Sequence, residues 1–179
     1  MTESRHGAPA YLLDTGVLIA AQSPVDRYHE GSAALVRAGQ AGLARLLAGV
    51  GVDYDLEAAS AERQAERRAW LSAHGITIAR VPGPFTLGVS RLDSGDVLVS
   101  TEDSERMARL SAILGTPLVE EDEDSWRRRQ IDLHHATSAL LSGAGLVTTD
   151  YKHLLRRRDE IREATALVVL APQEAVDSL

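Results

Sequence analysis

Asp14, Asp132 and Asp150 are the residues of this chain whose type and placement could do chemistry together. Asp14 ends the apolar run Ala10-Tyr11-Leu12-Leu13, and Asp150 ends Leu146-Val147-Thr148-Thr149. Both runs read as buried strands, and in a parallel α/β sheet the carboxyl ends of the strands share one edge, where ligands bind. Asp132 opens a helix expected over Asp132 to Leu141, and a helix antiparallel to the strand that follows it would start at that same edge. Carboxylates converging there repel one another, or stay partly protonated, unless a cation joins them. Mg²⁺ answers this need: it takes one or two carboxylates and keeps several waters, which leaves room for phosphate oxygens and an attacking water. The chemistry implied is phosphodiester hydrolysis. Each acid also has a purely structural use. Asp14 suits a turn before Thr15-Gly16, Asp132 a helix N-terminus favoured by the macrodipole, and Asp150 the N-cap of the next helix. Their conjunction is what favours a site.

The elements that must position these acids alternate along the chain. Ser23-Pro24 interrupts the apolar stretch after Asp14, and Val25 to Ala38 carries Ala33, Ala34, Leu35 and Ala38 at helical spacing. Leu43 to Val52 reads as a second strand, Leu56 to Ala73 as a helix closed by His74-Gly75, and Ile76 to Val81 as a third strand ended by Pro82-Gly83-Pro84. A helix over Glu102 to Leu114, capped by Thr101, is followed by the acidic run Glu120 to Asp124, expected as a loop. Gly143-Ala144-Gly145 stops the Asp132 helix, Tyr151 to Ala164 forms another, and Leu167 to Leu170 makes the last strand. Such alternation implies βαβ crossovers and a mainly parallel sheet flanked by helices.

Composition narrows the chemistry. With 179 residues and 44% apolar content, one domain over 1–179 with a real core is expected. The absence of cysteine rules out thiolate zinc sites and cysteine nucleophiles, so a metal must be held by oxygen or imidazole. No apolar run reaches the roughly 20 residues of a membrane span, and the short polar N-terminus fits a cytoplasmic protein. A net charge of −7 opposes strong unaided binding to a phosphate backbone, although metal-holding carboxylates contribute to that count and a dication would offset part of it. One Phe, two Trp and four Tyr give little material for a base-stacking platform, which leaves recognition to metal and backbone.

Two segments resemble the PIN nuclease family. Leu13-Asp14-Thr15-Gly16-Val17-Leu18-Ile19 is similar to its opening motif, a strand ending in Asp-Thr or Asp-Ser before a small residue and Val-Leu-Ile. Asp132-Leu-His-His-Ala-Thr-Ser-Ala-Leu-Leu-Ser-Gly-Ala-Gly-Leu-Val-Thr-Thr-Asp150 is similar to its closing pattern, an acid opening a helix, a glycine stop and a strand ending Val-Thr-x-Asp. The resemblance implies a three-layer PIN-like α/β sandwich and Mg²⁺ or Mn²⁺ held by Asp14, Asp132 and Asp150, with Thr148 supplying a supporting hydroxyl. It also implies a fourth acid near the start of the helix after the second strand. Asp53-Tyr54-Asp55-Leu56-Glu57 offers Asp55 first and Glu57 next, though Asp55 equally suits a helix cap. The implied activity is a ribonuclease, including the toxin–antitoxin type, with RNA as substrate, an antitoxin or other inhibitor protein as partner, and homodimerisation.

The chain departs from that family in an insertion around 82–117, whose Asp93 and Asp96 read as turn residues. Arg127-Arg128-Arg129 and Arg156-Arg157-Arg158 lie close in sequence to the acids and could meet phosphates, or pair with neighbouring acids on solvated helix faces. His134 and His135 could assist the site, but one of them reads instead as a half-buried packing residue. The competing functional reading is a catalytically inactive PIN-like binding or scaffold module. A phosphatase with Asp14 as nucleophile would need an acid two residues on, where Gly16 stands.

Overall fold

The computed structural model describes residues 7–49, 52, 60–79, 100–115 and 123–179. Its elements run β1 (Ala10–Leu13), α1 (Thr15–Gln22), α2 (His29–Gln40), β2 (Arg45–Gly49), α3 (Ala61–Ala73), β3 (Thr77–Ala79), α4 (Thr101–Leu114), α5 (Glu123–Leu141), β4 (Gly145–Val147), a 3₁₀ turn (Leu155–Arg157), α6 (Arg158–Thr165), β5 (Val169–Leu170) and α7 (Pro172–Asp177). The strands form one sheet in the order β3-β2-β1-β4-β5, with every neighbouring pair parallel. All carboxyl ends therefore share an edge, and Asp14 follows the central strand.

Strand side chains alternate between two apolar layers, as period-two geometry requires. Leu12, Leu47 and Leu146 point into the layer built by α4, α5 and α6, with Leu110, Ile113, Leu133, Ala136 and Ile161. Tyr11, Leu13, Leu46, Ala48 and Val147 point the other way, onto Val17, Leu18, Leu35, Leu71 and Ala175 from α1, α2, α3 and α7. This is the expected three-layer α/β architecture, helices covering both faces of a parallel sheet. No helix among the described residues is long and apolar enough to cross a membrane.

Several local expectations change. Thr101 does not cap α4; Ser100 does, its Oγ accepting from the Asp103 amide at 3.0 Å. Of the stretch 82–117, residues 101–114 form α4 and bury Leu110, Ile113 and Leu114 in the core; residues 82–99, with Asp93 and Asp96, lie outside the described residues. Asp132 does not open a helix. α5 begins nine residues earlier at Glu123, so Glu123 and Asp124 are its first turn and not a loop. In Ser125 to Arg128 only Trp126 is apolar and half-buried, too little to form the stripe that reveals a helix; full burial begins at Arg129. The predicted helix over Tyr151 to Ala164 is instead a turn, a 3₁₀ segment and the shorter α6, ended by Ala166 in the left-handed region at φ 61°.

Candidate metal centre

β1 ends where α1 begins, and Asp14 does the joining. Its amide donates to the Val147 carbonyl at 3.1 Å, which ties the β1 end to β4. Its Oδ1 accepts from the Val17 amide at 2.9 Å and caps α1. The other carboxylate oxygen, Oδ2, accepts from the Thr148 hydroxyl, and Thr148 Oγ1 in turn accepts from the Asp150 amide at 2.9 Å. One fully buried hydroxyl thus links the acids that follow β1 and β4. A Cβ on Gly16 would run into the Thr149 hydroxyl and lie 3.1 Å from Asp14 Oδ1, so a larger residue after Asp-Thr would have to displace the Thr149 side chain beside the acid.

Asp150 uses one oxygen to accept from the His153 amide at 2.9 Å, the capping role its position suggested, and turns the other, Oδ2, toward His153 Nδ1 at 3.0 Å. Asp132 reaches the same ring: its Oδ2 lies 3.4 Å from His153 Nδ1. Donor atoms of Asp132, Asp150 and His153 all fall within 4.8 Å of one another, and all three residues are half-buried. Ligands around an octahedral Mg²⁺-sized ion lie about 3.0 Å apart when adjacent and about 4.2 Å when opposite, given metal–oxygen distances of about 2.1 Å, so small adjustments of these three side chains could let them hold one ion. Asp14 stands behind them, close enough to feel both carboxylates.

The electrostatics express the crowding. Burial pushes the Asp14 carboxyl from 3.8 up to about 7, against the Thr148 hydroxyl and Val17 amide that hold it down, and the charges of Asp132 and Asp150 push it further up. The Asp132 carboxylate, and Asp150 after it, raise the His153 imidazole above its ordinary value, while burial opposes them. A dication would reverse the Asp14 effect by favouring the charged form.

Asp14, Asp132, Asp150 and Thr148 thus lie together at the carboxyl edge of the sheet. Asp55, Glu57 and Asp53 lie outside the described residues. His153 was missed by the sequence reading; the available signal was Asp150-x-x-His153, a spacing that turns two side chains to one side of a tight turn. His134 and His135 are both buried, at 2% exposure each, and neither is half-buried as one was expected to be. Among the described residues neither His135 ring nitrogen has a hydrogen-bond partner, and its Nδ1 lies 3.1 Å from where a Cβ on Gly49 would stand.

Thr148→Val is expected to cost about 1–3 kcal/mol of stability by chemical denaturation, because it strands a buried Asp14 oxygen and the Asp150 amide together. An unchanged midpoint would remove Thr148 from this account.

No protein-family model matches the chain, and no curated protein matches it. Among solved structures, it is similar to a chain in the crystal structure of VapBC2 from Rickettsia felis bound to a DNA fragment from their promoter. The TM-score is 0.50 with 13% sequence identity, covering 90% of this chain and 98% of that one. That likeness speaks for the fold alone, over nearly the whole length of both chains.

Proposed function

We propose that this chain is a divalent-metal-dependent nuclease of the PIN type acting on RNA, with Asp132 and Asp150 as metal-holding carboxylates and Asp14 supporting them. One observation carries the reading: acids from separate elements converge at the carboxyl edge of a parallel sheet, joined through Thr148. A bound dication would supply an activated water and offset the charge developing on phosphorus. The chain's own residues do the rest. Thr148 fixes the Asp14 carboxylate, and Asp150 keeps one oxygen on the turn and the other toward the site. An Asp55 or Glu57 ligand is part of the same proposal, as are an inhibitor or antitoxin protein partner, homodimerisation and a cytoplasmic setting.

The two arginine triplets sort by their contacts. Arg129 is buried on the Gly115 carbonyl, Arg157 binds the Ile113 carbonyl and Glu160, and Arg158 pairs with Glu174. Arg127, Arg128 and Arg156 are exposed. Arg128 precedes Asp132 by four residues, which places it on the same stripe of α5, about 6 Å along the axis. It suits a phosphate next to the scissile one. Arg128→Ala is expected to weaken RNA binding several-fold and to reduce the slope of log affinity against log salt by about 0.7–0.9. Arg127→Ala, turned away from Asp132 on the helix, should do less; equal effects would sink the assignment.

The direct test is hydrolysis of a mixed-sequence RNA with Mn²⁺ and with EDTA. Cleavage that requires the metal supports the nuclease. Protein that binds neither metal nor RNA is the scaffold module instead, a reading that the net charge of −7 favours.

A further inference from the structure

We propose that His153 is an inner ligand of the metal and biases the site toward a first-row transition dication over magnesium. The inference rests on the metal-site reading above and extends it from where an ion sits to which ion is chosen. Its basis is geometric. His153 Nδ1 faces Asp150 Oδ2 at 3.0 Å and Asp132 Oδ2 at 3.4 Å, so one nitrogen addresses both carboxylates. These separations are those of neighbouring corners around a six-coordinate ion. The ring is held there by the backbone, since the His153 amide donates to Asp150 Oδ1 at 2.9 Å and the Asp150 carbonyl accepts from the Leu155 amide at 2.9 Å. With 27% of its side chain exposed, the ring is anchored yet within reach of solvent.

The consequence follows from ligand chemistry. Magnesium binds oxygen, strips water reluctantly and gains little from imidazole. Manganese, iron, cobalt and zinc accept nitrogen readily, and a mixed set of two carboxylates and one imidazole suits them. An all-carboxylate centre would discriminate less between magnesium and manganese. The selectivity is thus encoded at Asp150-x-x-His153, where the turn after β4 brings its third residue back over the acid.

The test reads the ion directly, by calorimetric titration of the full chain with Mn²⁺ and Mg²⁺ and by pulsed electron paramagnetic resonance of the Mn²⁺ complex. Wild type is expected to prefer Mn²⁺ and to show ¹⁴N modulation from a coordinated imidazole. His153→Asn should lose the nitrogen signal and weaken Mn²⁺ binding by roughly tenfold or more, judged against losses of 10–100-fold when even outer-shell partners are removed. His153→Asp, which restores an oxygen donor, should bind Mg²⁺ and Mn²⁺ with a narrower ratio, and thermal melting confirms that both variants fold. Mn²⁺ bound in wild type without nitrogen modulation, or an unchanged Mg²⁺/Mn²⁺ ratio in both variants, overturns the inference alone. A wild type that binds neither ion overturns the metal-site reading with it.

Discussion

Asp150→Asn is expected to lower metal-dependent RNA cleavage by roughly 10²–10³-fold or more, the range for removing one preorganised electrostatic contact from a reacting centre. The substitution keeps the shape and the oxygen that accepts the His153 amide at 2.9 Å, so the turn after β4 should survive. It deletes a negative charge next to His153, 3.0 Å from Nδ1, and within the reach of Asp14. The lost attraction to a half-exposed imidazole and the relieved repulsion from the neighbouring acids oppose each other. Stability should therefore change by no more than about 1 kcal/mol. Activity and stability thus part company, which separates a reacting residue from a structural one. Asp159→Asn, at an exposed position in the first turn of α6, is the matched control and should cleave like wild type. Cleavage by Asp150→Asn at the wild-type rate, with the same metal requirement, would detach the activity from this carboxylate.

What the sequence made legible was the part of the site carried by strands. Ala10–Leu13 lies where it was read, an apolar run that Asp14 ends, whereas the strand before Asp150 is Gly145–Val147: its buried Leu146-Val147 pair marked it, but Gly145 belongs to the strand and Thr148-Thr149 to the segment that follows it. Asp132 was found as an acid but misplaced as a helix start. Its helix overhangs it by nine residues toward the N-terminus, and the Ser125 to Arg128 segment, exposed but for the half-buried Trp126, lacks the amphipathic period that signals a helix. That overhang changes the chemistry as well as the boundary: Asp132 points out of a continuous helix and needs no dipole argument, and Arg128 shares its stripe one turn away. The Asp150-x-x-His153 spacing is too weak a signal to place His153 by itself. Its role depends on a turn folding back on Asp150, and a polar residue three positions after an acid looks the same in sequence whether the turn closes or not. The arginine triplets show the limit of charge runs: three of the six side chains are occupied by carbonyls or carboxylates that only tertiary packing supplies.

In the metal-free protein, Asp14→Asn and His135→Leu are expected to tilt the pH dependence of stability in opposite directions. Both wild-type groups are buried, at 6% and 2% exposure, and both resist charge. The Asp14 carboxyl is raised from 3.8 to about 7, so between those values the folded state holds a proton that the unfolded chain has released, and stability falls as pH rises. The His135 imidazole is lowered from 6.5 to about 4, first by burial and then by His134, so the unfolded chain holds the extra proton and stability rises with pH over that span. His134, also lowered by burial, leans the same way as His135. In wild type the opposed contributions largely cancel between about pH 5 and 6.5, each single group being worth at most about 1.4 kcal/mol per pH unit. Asp14→Asn leaves the histidines unopposed, and urea denaturation in EDTA should show stability climbing across this window. His135→Leu leaves Asp14 opposed only by His134, and the slope should turn downward. Above about pH 6.5 the histidines no longer contribute to a rising slope, and wild type should lose stability until Asp14 is ionised in the folded state too. Mn²⁺ should flatten that last decline, because an ion beside the carboxylates stabilises the charged form that burial disfavours. Parallel profiles for wild type and Asp14→Asn would mean that this carboxyl is not held uncharged at the sheet edge, and the electrostatic case for a cation there would go with it.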